Sequence, residues 1–421
     1  MIQTGAGDHP HITVVGAGIV GTACALQLQR DGYQVTLLDQ AGVGEGCSFG
    51  NAGCLSVASV VPMALPGMLK QVPKWLADPM GPLTVRWPYL PRALPWLLQW
   101  VRAGNEVQAR ATAPSLANLF GATFPGYRSL LDATQYDGLI RQSGHLYVWR
   151  TLARSSGDRL AQSIRDTTGV RSQALSAGET RELEPTLAPD IQSGLLLPDN
   201  GFTCNPERLV KTLAANFVVA GGTVLRRKVL DFEFGEHGTT RLYTDCGTLP
   251  VSTLILCAGA WSMRLGARLT GIRVPLDTER GYHATLSAPT VQPSRPVMDC
   301  ERKFIATPME GGLRIAGTVE IGGLDAPPDY RRAGVLQRQG QQLFPGLTFA
   351  EDSAWMGHRP SLPDSLPVID RSERYRNVFF AFGHGHLGMT GAPGTARLIA
   401  DLVAGRPPFI DASPYSLQRF R

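Results

Sequence analysis

The sequence predicts an α/β protein that combines a discontinuous, Rossmann-like dinucleotide-binding domain with a second, α+β domain built on a mainly antiparallel sheet. Three stretches support this fold class: a strand–glycine turn–helix–strand unit at His11–Asp39, a glycine-tipped buried strand at Thr253–Cys257, and hairpin-forming strands between Val274 and Val319. The chain has 421 residues, whereas a single domain usually has about 100–150. We therefore expect two domains.

The first unit has the features of a dinucleotide-binding turn. Gly16 permits the tight turn after the strand, Gly18 lets the backbone approach a pyrophosphate, and Gly21 lets helix and strand pack closely. The helix would direct its N-terminal N–H groups at the phosphates, and Asp39 would accept hydrogen bonds from an adenosine ribose. A merely structural glycine turn is the alternative. The residues predicted to hold this half of the ligand are Gly16, Gly18, Ile19, Val20, Gly21, Asp39 and Gln40.

The composition excludes several classes of protein. Lys and Arg number 40 and Asp and Glu number 35, which gives a net charge of +5 spread along the chain. Because the basic residues are scattered rather than clustered, the sequence predicts no dedicated nucleic-acid surface. The seven cysteines are odd in number and form no CxxC pair, so neither a disulfide framework nor a metal site is expected. A reducing, cytoplasmic location is the simplest interpretation.

Two stretches bear on contact with a membrane. Residues 1–10 lack the basic and apolar segments of a signal peptide and are predicted to be a flexible leader, and no run reaches the about 18 apolar residues of a transmembrane helix. From Val61 to Gly104 the chain is rich in Pro, Trp and Leu, so short helices are expected. Leu94–Val101 is apolar on more than one face. Three interpretations stay open: core of the second domain, a lid over a site, or a surface for a partner or for the inner face of the cytoplasmic membrane.

A second α/β unit begins at Asn205 and Pro206, which are typical of a helix start, and its helix should end at Gly221 and Gly222. An extended stretch and a hairpin turn at Glu236 and His237 follow. Other predicted elements are one helix from Pro114 to about Leu131, a strand at Ser143–Arg150, helices within Thr151–Thr168 and Thr180–Asp190, strands at Val274–Leu286, Lys303–Val319 and Val378–Phe382, a glycine-rich turn at Phe382–Gly394, and a helix at Thr395–Ala404. This order assigns 1–60, 196–273 and 350–421 to the dinucleotide-binding domain, and 61–195 and 274–349 to the substrate domain.

Seven motifs are spread over nearly the whole chain. In chain order they are VVGAGIVG, SFGNAG at Ser48–Gly53, CAGAW, RGYH at Arg280–His283, RIAGTVEI, GHRPSLPDSLPVI at Gly357–Ile369 and FGHGHLGMTGAPG. In this collinearity the chain resembles the flavin-dependent D-amino-acid dehydrogenase family, within the larger group that includes glycine oxidase, sarcosine oxidase and D-amino-acid oxidase. The resemblance implies FAD as the dinucleotide. Because Arg359–Asp364 contains no cysteine, we expect FAD to be bound without a covalent tether.

The chain also departs from the family pattern around the expected pocket. His358 stands where an aliphatic residue commonly precedes the Arg-Pro pair, the loop PDSLP replaces PDGxP, and His386 replaces a small polar residue after GHG. These changes put the identity of the substrate in doubt.

The resemblance assigns roles to individual residues. Arg359 matches the position that binds the substrate carboxylate, for which a planar guanidinium is well suited. Tyr282, His358 and His386 are expected to line the substrate pocket, and Arg359, Tyr282 and His384 are the catalytic candidates. A core tyrosine and packing histidines are the competing interpretations. The further residues expected at the cofactor are Ser48, Asn51, Ala52, Gly53, Val229, Ala258, Gly259, Trp261, Gly383, His384, Gly385, Leu387, Gly388, Met389 and Thr390.

These assignments imply oxidation of a D-amino acid or a cyclic imino acid such as a proline derivative. A hydride would move from Cα to the flavin N5 atom, and the electrons would pass to a quinone or another acceptor. An oxidase of the glycine or sarcosine oxidase type, which transfers electrons to O2, is the first alternative. A non-catalytic flavoprotein subunit that relays electrons is the second.

Overall fold

The structure, a computed structural model, describes residues 10–66, 80–236 and 238–421. Nearly all of the predicted leader, part of the Pro-, Trp- and Leu-rich stretch, and His237 of the predicted hairpin turn lie outside these ranges. The helices are α1 Ile19–Arg30, α2 Leu90–Ala103, α3 Glu106–Gly121, α4 Thr123–Leu130, α5 Ala133–Leu139, α6 Ser156–Thr167, α7 Ala177–Leu183, α8 Pro206–Val219, α9 Ser262–Thr270, α10 Arg331–Leu343 and α11 Gly388–Ala404.

The strands are β1 Ile12–Val15, β2 Val35–Asp39, β3 Cys54–Leu55, β4 Leu83–Val85, β5 Ile140–Arg141, β6 His145–Trp149, β7 Gln173–Ser176, β8 Ser193–Leu197, β9 Gly201–Thr203, β10 Thr223–Arg226, β11 Val229–Gly235, β12 Gly238–Thr244, β13 Gly247–Pro250, β14 Thr253–Leu256, β15 Asp277–Leu286, β16 Val297–Asp299, β17 Phe304–Met309, β18 Gly312–Ile321, β19 Asp352–Ser361, β20 Val368–Arg371 and β21 Val378–Phe382.

The smaller of the two main sheets is the expected Rossmann-like sheet. Among the described residues its strands follow the order β10-β2-β1-β14-β21-β20, and all neighbours are parallel except β20 and β21. Every residue of β1 is buried, as is typical of a central parallel strand covered on both faces. Helices α1, α8 and α11 cover one face, while β11, β12 and α9 cover the other.

The larger sheet is mainly antiparallel, as predicted for the second domain. In the described ranges its strands follow the order β19-β15-β18-β17-β16-β6-β8-β7, and β4 pairs with β18. Only the pairs β16–β6 and β18–β4 are parallel. Helix α10 packs on this sheet through Leu336 and Leu343, which are fully buried with Phe304 and Ile315. The α/β fold class with a mainly antiparallel second sheet is confirmed.

The second α/β unit and the hairpins also agree with the sequence prediction. The Asn205 side chain caps α8 by accepting from the Arg208 N–H at 2.9 Å, and β17 and β18 form a hairpin that closes at Met309 and Gly312. The strand pair β11–β12 brackets the predicted turn at Glu236.

Two helix predictions were wrong. The single helix expected from Pro114 to Leu131 is α3 and α4, which break at Ala122, because Pro125 has no N–H for the next helical hydrogen bond. The glycine-rich turn expected to run to Gly394 ends earlier, since α11 begins at Gly388. The glycines of α11 permit close packing of this helix against α3, because a Cβ at Gly394 would lie 2.4 Å from the Leu119 carbonyl oxygen.

The predicted domain boundaries also need a local correction. Strand β19 was placed with the dinucleotide-binding domain, but it pairs with β15 along its whole length in the larger sheet. Strand β8 crosses the predicted boundary at residue 196 and belongs to the same sheet. The division into two discontinuous domains stays a prediction.

We predict that Gly21→Ala destabilises the protein through the contact between β1 and α1. A Cβ at Gly21 would lie 1.8 Å from the Gly16 carbonyl oxygen, so the helix would have to move. Forced overpacking of this kind costs about 1–3 kcal/mol or more, measurable as a lower free energy of unfolding in urea.

Gly46→Ala is the matched control, because a Cβ there would meet nothing within 4 Å. We expect it to change the free energy of unfolding by less than about 0.5 kcal/mol. Equal stabilities of the two variants would contradict the proposed contact.

Candidate functional site

The glycine turn after β1 forms one end of the site. Gly16 has φ +109°, and a Cβ on it would lie 2.3 Å from the Cys257 carbonyl oxygen. The Ile19 N–H at the start of α1 donates to Ser48 Oγ at 2.9 Å. A Cβ on Gly18 would lie 3.3 Å from that same oxygen. The turn, the start of α1 and Ser48 are therefore brought together as the sequence predicted.

Asp39 ends β2 beside this turn. Its carboxylate accepts from the backbone N–H groups of Ala17 at 2.8 Å, Ala41 at 2.8 Å and Gly42 at 3.1 Å. Gln40 is exposed next to it. Val229 starts β11 and is 8% exposed. A contact between the Val229 backbone and adenine stays a prediction.

The turn after β14 packs against the glycine turn. Ala258 and Trp261 are half-buried, Gly259 has φ +54°, and the Trp261 ring contacts the His358 ring edge-on with centroids 5.4 Å apart. These predicted cofactor residues therefore lie at the carboxyl end of the smaller sheet, where α/β sheets usually bind ligands.

The loop Ser48–Gly53 links the smaller sheet to the larger one. The Gly50 carbonyl oxygen lies 2.9 Å from His283 Nδ1, and a Cβ on Gly50 would lie 2.1 Å from the Trp355 ring. The Asn51 side chain accepts from the Gly53 N–H at 2.8 Å. Ala52 lies between them, half-buried. The loop thus covers one face of β15 and β19.

The uninterrupted antiparallel register of β15 and β19 decides which side chains face this loop. Glu279 is opposite Arg359, Gly281 opposite Gly357, and His283 opposite Trp355. Since side chains alternate along a strand, these residues share one face. The stacked rings of His283 and Trp355, with centroids 5.2 Å apart, agree with this assignment.

Arg359 lies half-buried on that face. A Cβ on Gly281 would lie 2.2 Å from Arg359 Cζ, so the guanidinium rests directly on the glycine. Its Nη1 donates to the Thr318 carbonyl oxygen at 3.1 Å. In the part of the chain that the structure describes, no carboxylate oxygen lies within 4.0 Å of this guanidinium. Arg359 can therefore receive a carboxylate from outside the protein.

A local distortion of β18 directs that carbonyl oxygen. Thr318 has φ +58°, and the pairing of β15 with β18 is irregular between Arg280 and Tyr282. Left-handed backbone at a β-branched residue is strained, and such strain often occurs at functional sites. The distortion fixes the orientation of Arg359.

Tyr282 and His358 lie on the opposite face, which contradicts the expectation that they line the pocket with Arg359. The Tyr282 hydroxyl donates to Glu320 Oε2 at 2.6 Å and accepts from the Asp329 N–H at 3.0 Å, so the phenol has no donor left for a substrate. His358 Nδ1 lies 3.3 Å from the Thr278 hydroxyl. The Tyr282 hydroxyl is thus held by Glu320 and Asp329, whereas His358 contacts Thr278 and the ring of Trp261.

His384 and His386 differ in position. His384 is 7% exposed, and its Nε2 lies 2.8 Å from the Thr395 hydroxyl inside α11, a position that disagrees with a catalytic role. His386 is exposed within a recess that it shares with Glu279, Met63 and Trp100. Surrounding protein atoms and Arg359 lower the pKa of His386. Of the two histidines, only His386 is exposed in this recess.

The loop before α11 is joined to β19. Ser361 forms an antiparallel bridge with His384, and the Gly385 N–H donates to the Pro360 carbonyl oxygen at 2.8 Å. The Ser361 carbonyl oxygen accepts from Trp96 Nε1 of α2 at 3.2 Å. Arg359 and the glycine-rich loop are therefore held in one hydrogen-bonded unit.

The first turn of α11 offers mainly backbone groups. Met389 is 1% exposed and Thr390 is fully buried, and the Thr390 hydroxyl accepts from the Ser56 N–H at 3.0 Å. Leu387 and Gly388 are half-buried. Gly383 and Gly385 have φ +86° and +56°, which favours glycine. Any ligand contact of Met389 and Thr390 would come from the N–H groups of the helix N-terminus.

Sequence reasoning missed Glu279 as a site residue. It is 7% exposed, and it lies on the face of Arg359 and borders the recess. Its position two residues before Gly281 in a predicted strand could have indicated the shared face. The side of the strand that bears the site was not evident without the pairing to β19.

Comparisons with known proteins show what this chain is similar to. The profile of a family described as FAD dependent oxidoreductase matches residues 11–402. A D-amino-acid oxidase of Bradyrhizobium diazoefficiens is 36% identical over 417 residues, covering 97% of this chain and 99% of the relative. A D-amino acid dehydrogenase of Paramagnetospirillum magneticum is 31% identical over 427 residues, covering 97% and 98%. The solved structure of a Geobacillus kaustophilus glycine oxidase superposes with a TM-score of 0.73 at 23% identity, covering 97% of this chain and 99% of that one.

We predict that His384→Gln makes the stability less sensitive to acid. Burial lowers the pKa of His384 from 6.5 to about 3, so the unfolded chain binds this proton more readily than the folded protein. The stabilisation that the neutral His384 side chain contributes to the folded state is complete above pH 6.5 and is lost as the pH falls towards 3. For this group the loss reaches about 3 kcal/mol at pH 4.

The measurement is a series of urea unfolding midpoints between pH 7 and pH 4. His11→Gln, at a half-buried site, is the control and should keep most of the wild-type slope. Parallel pH curves for wild type and His384→Gln would contradict the assignment.

Proposed function

Because the chain belongs to the family of FAD-dependent oxidoreductases, we propose that it oxidises the Cα–N bond of a D-amino acid or a cyclic imino acid, with a quinone or another compound as electron acceptor. The observation that carries this proposal is Arg359, a cation without a carboxylate partner in the described residues, directed at the face covered by the Ser48–Gly53 loop. Two relatives are named for the oxidation of D-amino acids.

The residues of the glycine turn fit FAD. Gly16, Gly18 and Gly21 place no side chain of their own at the N-terminus of α1, which suits a pyrophosphate, and the Asp39 carboxylate lies within hydrogen-bonding distance of this turn. The Ser48–Gly53 loop and the Gly383–Gly388 loop would hold the ring without a covalent tether. When bound, FAD supplies the acceptor for the hydride that leaves the substrate Cα.

The chain's own residues would orient the substrate. Arg359 would bind the carboxylate, with its Nη1 kept in place by the Thr318 carbonyl oxygen. His386 lines the recess that Glu279 also borders and would contact the substrate side chain. Holding the substrate in one orientation fixes the distance from Cα to the acceptor, which accounts for much of the rate in reactions of this kind.

We predict that Arg359→Ala lowers kcat/KM for the best substrate by about a hundredfold or more, because charge-assisted hydrogen bonds to the carboxylate are lost. The measurement is anaerobic bleaching of the flavin absorbance by a panel of D- and L-amino acids and cyclic imino acids. Arg338→Ala, at an exposed position of α10, is the control and should retain activity.

The proposal fails if no member of the panel bleaches the wild-type flavin, which would favour a subunit that only relays electrons.

Arg359→Lys keeps the positive charge but loses the planar guanidinium that can bind both carboxylate oxygens, so this variant should retain part of the activity.

The oxidase alternative is favoured by one observation, the name of the Bradyrhizobium diazoefficiens relative. Reduced enzyme mixed with air-saturated buffer in a stopped-flow instrument separates the two cases. Fast second-order reoxidation would identify O2 as the acceptor, whereas slow reoxidation that a quinone accelerates would support the dehydrogenase.

A quinone acceptor would bring the enzyme to a membrane surface, and α2 provides a suitable face. Trp87, Leu94 and Leu98 are 70%, 48% and 50% exposed, and exposed Arg92 and Arg102 lie on the same segment, which has no acidic residue between positions 81 and 105. Apolar and basic side chains together suit an anionic lipid surface. Within the described ranges, no helix has the length and apolar character needed to span a bilayer.

We predict that the triple variant Trp87→Ala, Leu94→Gln, Leu98→Gln loses binding to vesicles that contain phosphatidylglycerol. Wild type should co-float with these vesicles and bind less to pure phosphatidylcholine, since the basic residues gain nothing from neutral lipid. Val219→Gln is the control, because Val219 is 89% exposed on another helix. Equal flotation of wild type and triple variant would contradict the peripheral contact.

A further inference from the structure

Two opposite charges lie side by side at the site without forming an ion pair. Glu279 and Arg359 are directly opposed on β15 and β19, and Glu279 is 7% exposed. Among the described residues, neither side chain has an oppositely charged atom within 4.0 Å. A buried carboxylate without a cationic partner is costly, so a cation from outside the protein would be bound favourably.

The guanidinium of Arg359 is displaced along β15 from Glu279. Directly opposed residues of antiparallel strands have Cα atoms about 4.5–5.5 Å apart. Arg359, however, extends over Gly281, where a Cβ would lie 2.2 Å from its Cζ, and therefore away from Glu279. In an amino acid the carboxylate and the ammonium group share one carbon atom. Such a zwitterion can touch the guanidinium with one end and the carboxylate of Glu279 with the other.

The surroundings of Glu279 favour this use. Burial raises the pKa of its carboxyl, while the Arg359 charge and the Ser361 hydroxyl act in the opposite direction, and Asp277 on the same strand raises it further. His384 and His386, which border the same recess, have pKa values lowered to about 3 and about 4. Both are neutral at pH 7, so neither competes as the cationic partner.

We propose that Glu279 binds the amino group of the substrate whose carboxylate is held by Arg359, and accepts one proton from the substrate ammonium. This inference rests on the proposed function. The N–H bond breaks, its electron pair stays on nitrogen, and Glu279 becomes a neutral carboxylic acid. Bound FAD would supply the acceptor for the hydride that leaves Cα, and the freed pair on nitrogen would form the C=N bond. A basicity raised by burial suits a group that must accept this proton near neutral pH.

The first test is ligand binding to the holoenzyme, without turnover. The probes are 2-aminoisobutyrate, which carries an amino group but no hydrogen on Cα, and isobutyrate, which lacks the amino group. Glu279→Gln should raise the Kd of 2-aminoisobutyrate about tenfold or more and change that of isobutyrate less than about twofold. Arg359→Ala should weaken both.

The second test is the pH dependence of kcat/KM. In wild type the acid side should follow the ionisation of Glu279. In Glu279→Gln that limb should be replaced by a rise that follows the ammonium group of the free substrate, because only the neutral amine then reacts. Glu279→Asp keeps the charge and should restore part of the wild-type profile. Asp277→Asn, which removes another buried carboxylate of β15, is the control: it should keep an acid limb set by Glu279, moved to lower pH because the Asp277 charge no longer raises the Glu279 pKa.

The outcomes separate the two proposals. If the holoenzyme binds neither probe and no amino acid bleaches its flavin, the proposed function fails and this inference with it. If wild type binds both probes, and Glu279→Gln weakens both equally or neither, only the role of Glu279 is overturned. FAD content and melting temperature identify a folding defect in Glu279→Gln, in which case Glu279→Asp decides: a partial loss of selectivity between the probes supports the inference, because the shorter carboxylate reaches the amino group less well, and selectivity equal to that of wild type overturns it.

Discussion

The direct contact between Gly21 of α1 and the carbonyl group of Gly16 sets the geometry of the nucleotide end. A Cβ at Gly21 would lie 1.8 Å from that carbonyl oxygen, so any other residue would push the helix off the strand. The same turn touches Cys257 at the end of β14 and brings Ser48 to the helix N-terminus. Three separate segments therefore meet at one point because two residues have no side chain.

Glycine serves the same purpose at the substrate end. Gly281 and Gly357 are opposed on β15 and β19, and the guanidinium of Arg359 and the ring of Trp355 lie in the space that their side chains would fill. The positive φ of Thr318 supplies the carbonyl oxygen that holds Arg359. The cation is thus positioned by backbone and missing side chains rather than by a protein carboxylate, and its charge stays available.

Much of the nucleotide end could be predicted from the sequence, because the strand, turn, helix and acidic residue lie within one short stretch. The substrate end depends on pairing between distant segments. Strand β15 was predicted, and the alternation of side chains along it already places Tyr282 and Gly281 on opposite faces. Which of these faces bears the site depends on the pairing with β19. Tyr282 and His358 were therefore placed on the wrong face, and Glu279 was overlooked. The helical Gly388–Gly394 segment was missed for a related reason, since its close packing against α3 outweighs the low helix propensity of glycine.

The junction at Ser361 has a consequence for how substrate preference can diversify. This residue ends the strand of Arg359, bridges to His384 in the loop before α11, and accepts from Trp96 of α2. A substitution that shifts β19 would disturb the Gly383–Gly388 loop and the exposed helix α2 together. Side chains that line the recess outside this junction, such as Met63, are where new specificities should arise with less loss of cofactor affinity. Through the same junction, a lipid surface bound to α2 would be connected to Arg359 by only a few hydrogen-bonded residues.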